Sequence, residues 1–235
     1  GGGYAETVCV PAGQVLKIPA GLSFTEAASL PEVYATAYLN LFMEAALVKG
    51  ESALLHAGAS GVGTAGIQMC KAFGNDCYVT AGSDSKIERC LELGAKAGCN
   101  RKTESFADCV KEWTDRGVDV ILDPVGAGYL ADNLSSLATE GRLVLIGLLS
   151  GAVAEANLGL MMVKRLRIIG STLRARAIAA KAEVMDALKA RVWPLLETGE
   201  IKPVIERVFP VEDAGAAHDL IASDETVGKV VLEVG

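Results

Sequence analysis

Residues 61–66 spell G-x-G-x-x-G, from Gly61 through Gly63 to Gly66, and the surroundings of that spacing constrain the fold more than any other stretch. Ahead of it runs the short apolar segment Ala53-Leu54-Leu55, and behind it Ile67, Met69 and Cys70 recur at helical spacing. A strand, a glycine-rich turn that also contains Gly58, and a helix thus follow one another. Glycine permits positive φ and, lacking a Cβ, lets a ligand approach the backbone. The first turn of a helix leaves amide N–H groups unpaired and carries the positive end of the aligned peptide dipoles. A pyrophosphate satisfies both, so the stretch predicts dinucleotide binding; a turn shaped by packing alone is the other reading.

The pattern downstream supplies the context such a motif requires. Short apolar runs at 53–56, 77–81, 97–100, 118–122, 142–146 and 166–170 alternate with helical patterns at 62–73, 85–93, 105–113 and 128–138. That alternation predicts an α/β fold with a doubly wound parallel sheet, whose ligands gather at the C-terminal ends of the strands. Outside it the rhythm differs. Residues 4–10 and 14–18 read as short β runs, the last strands of an all-β unit, and Ser23 with Glu26 forms a capping box before a helix start. A further helical pattern covers 34–46, with Pro31 between the two. After Thr172 the spacing predicts a long helix over 177–197 kinked near Pro194, a strand at 204–209, a helix at 211–222 and a strand at 229–234. This tail is expected to leave the βαβ series and return to the N-terminal β unit, giving one domain from 1–27 with 171–235 and a second from 28–170.

Net charge is −7, which argues against an electrostatic grip on nucleic acid or an anionic membrane. No apolar run approaches the roughly 20 residues that span a bilayer. The six cysteines form no C-x-x-C pair and the two histidines, His56 and His218, lie far apart; this spacing predicts no metal site, and free thiols suit a reducing compartment such as the cytoplasm. The start Gly1-Gly2-Gly3-Tyr4, without methionine or targeting segment, reads as the interior of a longer protein.

The second strand ends about 20 residues beyond the glycine turn, where folds that prefer NAD place an acidic residue on the ribose. Here the sequence is Ala81-Gly82-Ser83-Asp84-Ser85-Lys86. Glycine, a serine hydroxyl and a lysine suit a 2′-phosphate, which favours NADPH over NADH. Asp84 either plays the acidic role or caps the next helix, and helix-start statistics favour the cap. Arg101, after the third strand, adds a second cation on the same sheet edge; a solvated role is the alternative for it and for Lys86. At the ends of the fourth and fifth strands, Val125-Gly126 and Gly147-Leu148-Leu149 leave room for ribose and nicotinamide, unless they are ordinary turns. Asp123 is either bonded locally or turned to the ligand edge. The basic run Lys164 to Arg167 reads as a strand with Leu166 and Ile168 on one face and Arg165 and Arg167 on the other; Arg174 is a weaker site candidate.

Several of these segments together resemble a known family: Gly1-Gly2-Gly3-Tyr4-Ala5-Glu6, Leu30-Pro31-Glu32, Ala57 to Thr64, Thr80 to Ser83, Gly117 to Asp123, Ser171 to Arg174 and Gly228 to Leu232. The chain is similar to zinc-free medium-chain dehydrogenases/reductases, and among them to NADPH:quinone oxidoreductases of the tumour-suppressor-inducible kind. The resemblance implies a GroES-like catalytic domain around a Rossmann domain, a homodimer joined near Arg167 to Ser171, and hydride transfer from NADPH to a quinone or related conjugated carbonyl. Reduction of 2-alkenals or enoyl thioesters, and dinucleotide binding without turnover, are the alternatives. It further implies that Ser60, Gly61, Val62 and Gly63 hold the pyrophosphate, that Gly82, Ser83 and Lys86 hold the 2′-phosphate, that Thr36 and Asn40 approach the nicotinamide, and that Leu148 and Leu149 line its pocket. Two departures stand out. Relatives carry a tyrosine where this chain has Arg101, and they have roughly a hundred further residues ahead of Gly1, about one small domain. The chain is therefore expected to be a fragment or to lack half its catalytic domain. No side chain stands out as the proton donor.

Overall fold

The computed structural model describes residues 2–235; Gly1, with which the expected N-terminal unit begins, lies outside the described residues. Two short helices, α1 (Phe24–Ala28) and α2 (Val33–Tyr38), precede the sheet. The capping box at α1 forms, with Ser23 Oγ accepting from the Glu26 amide and Glu26 accepting from the Ser23 amide. α2 widens into a π-helical turn over Leu39–Glu44.

The central layer is built from β1 (Ser52–Leu55), β2 (Asp76–Ala81), β3 (Ala97–Asn100), β4 (Val118–Asp123), β5 (Leu137–Leu145) and β6 (Arg167–Gly170). All are parallel, in the order β3-β2-β1-β4-β5-β6. The connecting helices are α3 (Gly61–Phe73), α4 (Asp84–Leu93), α5 (Phe106–Trp113), α6 (Leu130–Ser136) and α7 (Leu158–Lys164). Covered on both faces, the inner strands carry consecutive apolar residues rather than an alternation, as in β4, where Val120, Ile121 and Leu122 follow one another and every residue is buried. Ser60, Ser83 and Ser105 cap α3, α4 and α5, and left-handed Gly74 and Gly94 end the first two. The strand order reverses between β1 and β4, which opens a crevice at their C-terminal ends, directly over the glycine turn.

Several expectations need correction. Residues 4–10 and 14–18 form no strand; only a single tight turn at Ala12–Gln14 is regular. Their β-branched residues have no neighbouring ladder to join, and propensity alone does not make a strand. The helix expected over 128–138 ends at Ser136, because Leu137 already pairs with Val118; a bulge around left-handed Glu140 then resets the register to Val120 with Arg142. The basic run is not a strand up to Leu166: Arg165 ends α7 in the left-handed conformation and bonds Glu140, and β6 starts at Arg167.

The tail begins with α8 (Ile178–Arg191) and α9 (Trp193–Glu197), which break at Val192. Pro194, lacking an N–H, stands in the first turn of α9 instead of kinking a continuous helix. β7 (Ile205–Pro210), α10 (Ala214–Ala222) and β8 (Lys229–Glu233) make one further parallel unit, so the tail leaves the six-stranded sheet without leaving the βαβ pattern. α8 and α9 share a core with α2 and α3 through Val184, Leu188 and Leu196 against Tyr34, Ala65 and Met69.

Candidate dinucleotide site

β1 hands the chain to a turn held from both sides: His56 N donates to Leu122 O and Gly58 N to Thr80 O. The turn is close-packed enough that side chains are excluded. A Cβ on Gly58 would lie 2.6 Å from the Val79 side chain, and one on Gly61 would lie 2.7 Å from the stem of Lys229. The first intrahelical bond of α3 runs from Thr64 N to Ser60 O, and the Ser60 hydroxyl accepts from Gly63 N. The amides of Gly61 and Val62 precede that first bond at the positive end of the helix. Gly228, between α10 and β8, donates its N–H to Ala59 O at 2.8 Å and pairs as an isolated bridge with Ser60, so the C-terminal unit forms one wall.

Above the turn lies a cavity of about 770 Å³ whose lining includes Ser60, Gly61, Val62, Gly82, Lys86 and Arg101. Val125 and Leu149 also line it. Lys86 is buried, and its Nζ donates to Asp224 O at 2.5 Å and Asp224 Oδ1 at 3.1 Å, while Arg101 reaches Asp224 Oδ2 at 2.6 Å. Partial burial pushes the Asp224 carboxyl up, but Lys86, Arg101 and Lys102 outweigh that and hold it below the usual range. Ser83 does not line the cavity: its hydroxyl accepts from Lys86 N as the cap of α4 and meets Ser85 Oγ. Asp84 is neither the cap nor an acidic wall residue; it stands in the first turn of α4 and accepts from Asn100 Nδ2 at 2.8 Å.

At the opposite end, Asp123 is fully buried and bonded locally, accepting from Val125 N at 2.5 Å, Gly126 N at 3.2 Å and Asn133 Nδ2 at 2.9 Å. Burial raises its carboxyl above the ordinary range against those donors. Asn133 passes the chain on to His56 Nε2 at 2.7 Å, and His56 Nδ1 meets Thr80 Oγ1 at 3.0 Å. Burial takes His56 down to about 4, opposed by the Asn133 bond. This buried relay fixes the β4 loop beneath the cavity. Gly126 and Gly147 are not among the lining residues, and the chain requires glycine there for its own packing: a Cβ on Gly147 would stand 2.6 Å from Pro124 O, and Gly126 takes a φ of 86°. Leu149 is 83% exposed and Leu148 is 55% exposed and outside the lining.

Thr36 and Asn40 stand on the helix that contributes Val33 to the cavity and are not themselves among its lining residues. Asn40 Nδ2 donates to Thr36 O within the same helix, and its buried Oδ1 has no partner. Arg174 instead borders a second, mainly apolar cavity of about 500 Å³ between residues 14–19, α2 and α8. Sequence reasoning missed the C-terminal wall, above all Asp224, Thr226 and Lys229; Gly228-Lys229 was visible only as part of a resemblance, and nothing in the sequence marked Asp224.

Over residues 61–190 the chain matches the family described as zinc-binding dehydrogenase. Human quinone oxidoreductase is 32% identical over 98% of this chain and 69% of its own length. A solved NAD-dependent alcohol dehydrogenase superposes with a TM-score of 0.86 at 32% identity, covering 100% of this chain and 66% of that one. The Escherichia coli quinone oxidoreductase complexed with NADPH superposes with a TM-score of 0.84 at 29% identity, over 97% of this chain and 71% of that one. The chain belongs to the zinc-binding dehydrogenase family. Within it, the chain is an oxidoreductase of the medium-chain dehydrogenase/reductase superfamily that groups with quinone oxidoreductases, and its cofactor class is a nicotinamide dinucleotide.

The glycine cradle and helix end fit such a cofactor. A zinc ion does not fit the same cavity, since among the described residues Asp224 is the only one lining it with a carboxylate, thiol or imidazole, and it is engaged by two cations. Elsewhere, Cys99, Glu104 and Cys109 bring their ligand atoms within 4.8 Å of one another, a grouping that linear spacing did not suggest. Glu104 there accepts from Asn100 N, and burial raises both thiols. No described helix is long and apolar enough to cross a membrane.

Proposed function

We propose that this chain binds NADPH in the cavity above the glycine turn and serves hydride transfer to a quinone or related conjugated carbonyl. The observation that carries the reading is the convergence of Lys86 and Arg101 on one anion beside Gly82, at the end of β2 where a ribose 2′-phosphate would lie. When bound, the cofactor supplies a hydride; the chain's own residues position it. Ser60 to Gly63 hold the pyrophosphate at the start of α3, Lys86 and Arg101 clamp the 2′-phosphate, and Val125 and Leu149 border the nicotinamide end. Most of the rate in such transfers comes from positioning and from keeping water away. Residues 28–170 act as the cofactor-binding unit and 1–27 with 171–235 as part of a GroES-like unit. We further infer a homodimer through β6 and, from the free thiols, a cytoplasmic setting.

The test follows loss of reduced-nicotinamide absorbance with an ortho-quinone, a 2-alkenal and an enoyl thioester as acceptors, for this chain and for one extended at its N-terminus. Turnover with the quinone supports the reading. Turnover with the alkenal or thioester alone moves the assignment to enone reduction, and tight NADPH binding without turnover in either chain leaves a dinucleotide-binding protein.

A further inference from the structure

The clamp proposed for the 2′-phosphate is already filled by part of the protein. Asp224 follows α10, and its carboxylate spans the two cations, with Oδ1 on Lys86 and Oδ2 on Arg101. The same Oδ2 lies 3.1 Å from where a Cβ on Gly82 would be, so the carboxylate occupies the space that the missing side chain at the end of β2 leaves open. Lys86, although buried, is neutralised there by the Asp224 side chain and its backbone carbonyl. We propose that Asp224 is an internal anion that competes with the 2′-phosphate for Lys86 and Arg101, so that NADPH must displace it while NADH need not. This rests on the reading that Lys86 and Arg101 form the 2′-phosphate clamp.

Charge and backbone geometry both support displacement. A phosphate monoester carries −1.5 to −2 at neutral pH, roughly, and offers three acceptor oxygens against the two of a carboxylate. It outbids Asp224 for both donors, yet an ionised Asp224 left alongside it repels it. The carboxylate must therefore swing out. Asp224 is half exposed, with its side chain 53% accessible, and its φ of 57° is one that a non-glycine residue rarely adopts. Release from the clamp frees it from the contacts that hold this conformation. An NADH ribose, by contrast, brings no second anion, so an Asp224 that stays on Lys86 and Arg101 does not repel it.

The test is a fluorescence titration of the 235-residue chain with NADPH and with NADH, for wild type, Asp224→Asn, Asp224→Gly and Arg101→Ala. Asp224→Gly removes the carboxylate and suits the left-handed backbone, so it guards against an asparagine variant that fails to fold. Loss of the carboxylate is expected to tighten NADPH about tenfold, an ordinary coupling between two ligands of one site, and to change NADH by less than about twofold. Arg101→Ala is expected to weaken NADPH more than NADH. If Arg101→Ala does so but neither Asp224 variant tightens NADPH selectively, the clamp stands and Asp224 is no competitor. Weaker NADPH binding in the Asp224 variants overturns the proposal in the same way, by making Asp224 a support. Equal losses of NADPH and NADH in Arg101→Ala, or no binding of either nucleotide to wild type, overturn the clamp and the proposal together.

Discussion

Gly63 lies against Gly58 so closely that a Cβ on Gly63 would stand 2.3 Å from the Gly58 carbonyl oxygen. The obstructing atoms are backbone, which cannot yield without opening the turn between β1 and α3. Gly63→Ala is expected to destabilise the protein by about 3 kcal/mol and to abolish dinucleotide binding. Gly66→Ala is the contrast: its nearest neighbour is the end of the Leu55 side chain at 3.0 Å, and the gain in helix propensity offsets the crowding to within about 1 kcal/mol. Urea melts of the two variants check this, and equal losses would remove the steric account.

His56 makes stability depend on pH. Buried between Thr80 and Asn133, it is lowered from 6.5 to about 4. The unfolded chain therefore takes up a proton at His56 below pH 6.5 that the folded chain refuses until about pH 4. Stability from this group is complete above the upper value and falls as pH drops through the window, by about 3 kcal/mol in all. Thermal melts across that window in wild type and His56→Gln should show the slope reduced by one proton in the variant; an unchanged slope contradicts the assignment.

Arg142 and Glu51 form a two-pronged pair, Nη1 to Oε1 at 2.8 Å and Nη2 to Oε2 at 2.6 Å, while Nε donates to Ala45 O. Arg142 is buried on β5, so its removal orphans Glu51 and the end of the π-helical turn together. Arg142→Met is expected to cost about 3 kcal/mol. The Arg142 bond holds Glu51 below its ordinary carboxylate value, so this contribution is present above that value and is lost as pH falls through the folded one. Arg142→Met should lose less stability than wild type on acidification, read by chemical denaturation.

Among the described residues β6 pairs only with β5 and leaves its other edge open, with Ile168 37% exposed. If two copies pair there, Ile168→Lys places a charge on the joint and should convert a dimer to a monomer in sedimentation, with little change in melting temperature. A wild-type monomer at every concentration would sink the dimer.

Most of the sheet was legible in the sequence because buried parallel strands read as continuous apolar runs alternating with helical patterns. The glycine turn was legible for the same reason. What escaped was set by partners distant in the chain. Residues 4–18 have strand-forming side chains and no ladder to join. Leu137 joins β5 only because Val118 lies beside it. Asp224 meets Lys86 across 138 positions, a pairing with no local signature. Asn40 donates to the backbone carbonyl of Thr36 and the hydroxyl of Ser83 caps α4, contacts that no spacing in the sequence singled out.

The contact between Gly228 and the Ala59–Ser60 turn also makes the pocket the joint property of two segments far apart in the chain. The glycine turn carries the motif, while Asp224, Thr226 and Lys229 supply the facing wall. A ligand held between them ties the two segments together, so its binding energy adds to the cohesion of the fold and not only to that of the turn.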